Sequence, residues 1–160
     1  MNEDYIMRMI EQFFRALSQI VRQRIAGDHE KAFDQIQIAS RFYLETEFTE
    51  LLKYTPEELL AHFTKKTDGF DTDKGIICGE LLHEMALISK AKQSDDVALR
   101  LTMFSLFLYT TAIPKDKQLQ KPRYFEKVSS LIQEIQGYKL PLVIQSNLQS
   151  YQEFMKRFHL

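Results

Sequence analysis

The chain has 160 residues, 44% of them hydrophobic and 27% charged, with a net charge of −1. These values suit one globular domain spanning 1–160 and exclude disordered, collagen-like and disulfide-stapled chains. Cys78 is the single cysteine, and no signal peptide is visible because Met1 is followed by Asn2, Glu3 and Asp4, so a soluble protein of the cytoplasm is expected.

The first predicted helix runs from about Asp4 to Ala26, where Ile6, Ile10, Phe13, Leu17 and Ile20 recur at steps of four and three. Met9, Phe14, Val21 and Ile25 widen that stripe enough for two packing neighbours. Gly27 should end the helix in a left-handed conformation and Asp28 should cap the next, about His29 to Leu44, with a short continuation over Phe48 to Tyr54. Thr55-Pro56-Glu57-Glu58 combines a capping hydroxyl, a proline at the first helical position and a glutamate three residues after the cap, the sharpest helix start in the chain. That helix should stop near Lys66, before Gly69.

A fourth segment, capped by Asp71 or Thr72, runs to about Lys92 with Ile77, Leu81, Met85 and Ile88 on its apolar face. Ser94-Asp95-Asp96 should cap the helix from Val97 to Ile113, which is apolar on all sides. It is short for a bilayer span and contains Arg100 and several hydroxyls, so it reads as a central core helix rather than a membrane segment. A charged loop from Pro114 to Pro122 precedes two amphipathic helices, one with Phe125, Val128, Ile132 and Ile135, the other after Pro141 with Ile144, Leu148, Tyr151, Met155 and Phe158. No alternating run reaches strand length. The expected fold is all-α: an antiparallel helical bundle or a short helical-hairpin array of about seven helices.

Ile25-Ala26-Gly27-Asp28-His29-Glu30-Lys31-Ala32-Phe33, followed by Ile36 and Ala39, resembles the turn and second helix of a tetratricopeptide repeat (TPR), with Gly27, Ala32 and Ala39 at the small positions. The resemblance covers roughly 12–40, and no second copy follows at a 34-residue interval. Taken as a whole, and most strongly from Asp4 to about Phe63, the chain also resembles a family of small bacterial helical proteins of uncharacterised function. Both resemblances imply a repeat-like helical fold, and neither supplies catalytic residues.

Charge is unevenly placed: residues 1–96 hold 18 acidic and 12 basic side chains, residues 97–160 hold 4 and 9. A bipolar molecule of this kind is steered in its encounters. Lys115, Lys117, Lys121, Arg123 and Lys127 make a basic stretch, and Arg8, Arg15 and Arg22 recur along the first helix. With a pI of about 6.4 and no recognition helix, solvated faces explain them better than nucleic-acid binding.

Metal chemistry has one candidate group. Glu80, His83 and Glu84 lie within one helical turn, and Glu58 with His62 forms an i, i+4 pair, but di-iron bundles need two Glu-x-x-His motifs and two further glutamates. Because Glu80 and Glu84 lie opposite the Ile77, Leu81, Met85 and Ile88 face, they are expected to point at solvent, and no cofactor is assigned. Cys78 reads as a buried structural thiol. Phe42-Tyr43 and Phe104, Phe107 and Tyr109 could line a groove or fill the core. No catalytic motif emerges, and the preferred reading is a non-enzymatic helical module that binds a protein partner or itself. A homodimer using the first or last helix is expected, with Phe14, Phe154 and Phe158 as contact residues, because the last helix is too apolar to cap an array; the alternative is a monomer in which those two helices cover each other. The alternative is a bundle enzyme or metal- or ligand-binding protein using Glu58, His62, Glu80 and His83.

Overall fold

Gly27 needs a backbone conformation that few other residues adopt, and that need fixes the first corner. In the computed structural model, which describes residues 8–158, α1 runs over Met9–Ile25 and α2 over His29–Ala39. Gly27 takes φ +83°. Its amide donates to the Arg24 carbonyl at 3.0 Å, and the Asp28 amide donates to the Gln23 carbonyl at 2.9 Å, the two bonds of a Schellman closure. Asp28 also caps α2 by accepting from the Lys31 amide at 3.3 Å. The part of the first predicted helix before residue 8 lies outside the described residues.

A π-helical turn over Ser40–Leu44 extends α2, and α3 (Phe48–Leu51) follows. The expected capping box then opens α4 (Pro56–His62). The Thr55 hydroxyl accepts from the Glu58 amide at 3.1 Å, while the Glu58 carboxylate accepts from the Thr55 amide at 2.9 Å. The helix ends one turn earlier than Lys66, because Thr64–Lys65 (β1) pairs antiparallel with Gly69–Phe70 (β2).

Two long helices form the centre. α5 (Thr72–Ala91) starts where Asp71 accepts from the Lys74 amide at 3.1 Å. α6 (Asp95–Ala112) carries Asp95 and Asp96 in its first turn, where the helix dipole favours acids, although the Ser94 hydroxyl makes no capping bond. A three-residue connection joins them, so they pack side by side in opposite directions. Between them the Ser105 hydroxyl donates to the Gly79 carbonyl at 2.7 Å, and a Cβ on Gly79 would stand 3.1 Å from the Tyr109 ring. Leu106 and Leu108 of α6 are wholly buried. The span Asp95–Lys115 is apolar enough for a bilayer by length and composition, yet most of it is covered by the rest of the fold, as a core helix should be.

α1 and α2 cover α5, while α7 (Pro122–Glu134) and α8 (Leu142–Phe158) pack on α6, and α4 touches both α6 and α8. The chain is therefore all-α, with eight α-helices and one minimal hairpin among the described residues. Two polar fastenings hold the periphery to this centre. Asn147 of α8 donates to the hydroxyls of Thr110 and Thr111 at 2.6 and 3.0 Å and to the Phe107 carbonyl at 3.2 Å. Asp116, between two 3₁₀ turns that replace the expected charged loop, accepts from the Thr72 hydroxyl at 2.8 Å and from Arg8 at 2.9 Å. Arg8 also bonds Asp73 and Gln118, so it ties the start of α1 to α5 and to the α6–α7 connection.

The largest departure from expectation concerns α5. Its polar face does not meet solvent: Glu80 is 6% exposed, His83 6% and Glu84 4%. α1 and α7 lie over that face, and residues far away in sequence neutralise it.

Candidate functional site

Burying three ionisable side chains is unfavourable unless each finds a partner, and here each does. Glu84 receives the Arg24 Nε of α1 at 2.7 Å. Glu80 accepts from the Tyr109 hydroxyl of α6 and from the Lys127 ammonium of α7, the latter at 3.4 Å. The same Lys127 Nζ lies 2.7 Å from His83 Nδ1, and His83 Nε2 lies 2.9 Å from Glu134. An ammonium can only donate, so His83 Nδ1 accepts, and Nε2 carries the hydrogen given to Glu134. A continuous chain, Tyr109–Glu80–Lys127–His83–Glu134, thus links α5, α6 and α7. Burial first, then the Glu80 carboxylate, raises the Tyr109 phenol well above its ordinary value, which keeps it a donor at neutral pH. Burial likewise raises the Cys78 thiol, which is protonated and enclosed.

The four residues of the metal alternative are not assembled. Glu58 is at the surface in its capping box, and His62 Nε2 pairs with the Thr46 hydroxyl at 2.9 Å. Glu80 and His83 belong to the chain described above. Among the described residues no group of three His, Cys, Asp or Glu side chains is placed to hold a metal ion.

Above Glu80 and Tyr109 a cleft of about 520 Å³ opens between α1 and α7. Phe14, Leu17, Val21 and Ile25 of α1 form one wall, and Tyr124 faces them. The Arg123 guanidinium carbon sits 3.5 Å from the Phe14 ring centroid, an attractive cation–aromatic contact. Phe14, expected to be a contact residue, is therefore half-buried and lines this cleft.

A second depression, of about 660 Å³, lies where α4, α6 and the start of α8 meet. Leu99, Met103 and Phe104 make its floor, with Pro141, Leu142 and Val143 beside them; Glu57, Asp96, Arg100 and Lys139 stand around it. Leu142 is 80% exposed. Of the other expected contact residues, Phe154 is half-buried and Phe158 more open, packed edge to face with Phe125 at 5.3 Å. Phe107 and Tyr109 belong to the core, Phe104 belongs to the groove floor, and Phe42 is exposed.

Sequence reasoning missed the cleft and the buried chain because the partners of Glu80, His83 and Glu84 lie 29 to 60 residues away. One signal was present: α5 is apolar at Ile76, Ile77, Cys78, Leu81, Leu82 and Ala86, more than one face of a helix. Comparison of the chain with protein families, curated proteins and solved structures found no match.

Proposed function

We propose that the protein is a non-enzymatic helical interaction module that associates with a second copy of itself through the face formed by α4, α6 and the start of α8. One observation carries the reading: Leu142, an aliphatic side chain 80% exposed, stands at the edge of an apolar groove of about 660 Å³. Knob and hole occupy one patch, as a two-fold interface requires, because each copy must offer both. The rim carries acids, Glu57 and Asp96, beside bases, Arg100 and Lys139. A two-fold rotation can therefore set unlike charges against each other. This face uses the last helix at its first turn rather than at Phe154 and Phe158. The packed α1–α2 hairpin closed at Gly27 supports a TPR-like reading, and the unpaired Cys78 supports a reducing compartment such as the cytoplasm.

Gel filtration of the unmodified protein and of Leu142→Glu tests the reading. Leu142 is too exposed for the variant to harm folding, so the dimer should dissociate while the helical circular-dichroism signal stays intact. A Leu142→Glu protein that elutes with the unmodified one would refute this face.

A further inference from the structure

The cleft between α1 and α7 has a chemistry that self-association through the other face leaves unused. Its α1 wall is an apolar track, Phe14, Leu17, Val21 and Ile25, about 16 Å long at the helical rise per residue. Ile25 is 73% exposed at the end of that track. Three cations, Arg22, Arg123 and Lys127, line the cleft with one anion, Glu80. Lys127 is matched to Glu80; Arg22 and Arg123 have no carboxylate partner among the described residues. Contact with the Phe14 ring holds Arg123 in place and leaves its N–H edge for an acceptor.

We infer that this cleft binds a small amphiphilic anion, a single hydrocarbon chain ending in a carboxylate, with the chain along the α1 track and the head between Arg22 and Arg123. The volume, about 520 Å³, falls in the range of small-molecule sites. A track about 16 Å long suits one extended chain. Glu80 at the floor repels a second negative charge, so the carboxylate stays at the mouth, where the guanidinium groups are. Displacing water from the α1 track drives binding, and charge-assisted hydrogen bonds orient the head.

Isothermal titration with decanoate, kept below its micelle concentration, tests the site against 1-decanol and acetate, which carry only the chain and only the head. Decanoate should bind once per chain, 1-decanol about tenfold or more weakly, and acetate not at all. Arg22→Gln, at an exposed position, should weaken decanoate about tenfold while leaving 1-decanol unchanged. Ile25→Glu should weaken both ligands. Arg123→Gln repeats the test at the second guanidinium. Equal binding of decanoate and 1-decanol, decanoate affinity unchanged in both arginine variants, or no binding at millimolar decanoate would overturn the inference. Saturation of the cleft by an acidic amphipathic peptide but not by decanoate would overturn it as well.

Discussion

Gly79 and Tyr109 face each other across the two central helices: a methyl group on the Gly79 Cα would lie 3.1 Å from two carbons of the Tyr109 ring. Tyr109 cannot retreat, because it is fully buried and its hydroxyl is bonded to Glu80. In an open helix glycine to alanine stabilises by about 1 kcal/mol. Here overpacking should dominate, and Gly79→Ala should destabilise the protein by about 1–3 kcal/mol. Urea denaturation reads the sign, and a stabilised variant would mean that α5 and α6 are further apart than described.

The pair Arg24 and Glu84 gives a second test. Glu84 is 4% exposed, so removing Arg24 alone leaves a buried carboxylate without its counterion. Arg24→Met should lose about 3–5 kcal/mol, and adding Glu84→Leu should restore most of it, since an apolar pair of similar size needs no compensation. Chemical denaturation of the two variants measures the difference. A loss below about 1 kcal/mol for Arg24→Met would place Glu84 in contact with water.

Local rules made much of the fold legible. Gly27 with Asp28, the box at Thr55 and Glu58, and the Asp71 cap, read as Asp71 or Thr72, are decided by residues within four positions of each other, and the apolar run of α6 is legible in its own residues; each stands in the structure. Glu80, His83 and Glu84 were misread for the converse reason. Whether a polar face is solvated or neutralised depends on Arg24, Tyr109, Lys127 and Glu134, and no periodicity within α5 announces them. The two-residue strands were too short to leave an alternation. Both surface depressions arise where elements distant in sequence meet, so only their individual apolar residues were visible beforehand.

The acid limb of stability should report the fastening at Asp116. Burial opposes its charge, but hydrogen bonds from Thr72, Arg8 and the Gln118 amide outweigh that and hold the carboxyl below its ordinary value. Glu134 is likewise held low, burial being outweighed by its bond to His83 and by the Lys127 charge. A carboxyl depressed in the folded state adds stability that is complete above its unfolded pKa, about 4, and that is lost as pH falls through the folded value. Thermal melts should therefore fall off below about pH 4. Asp116→Asn should melt lower than the unmodified protein at neutral pH, and the gap should narrow near pH 3. A gap independent of pH would show that Asp116 acts without its charge.

Self-association is the central claim, and mass in solution tests it most directly. Light scattering across a range of micromolar concentrations should give twice the chain mass of 18.9 kDa. The dimer fraction should fall on dilution and, for the rim charges, with added salt. A mass of 18.9 kDa at every concentration would contradict the account.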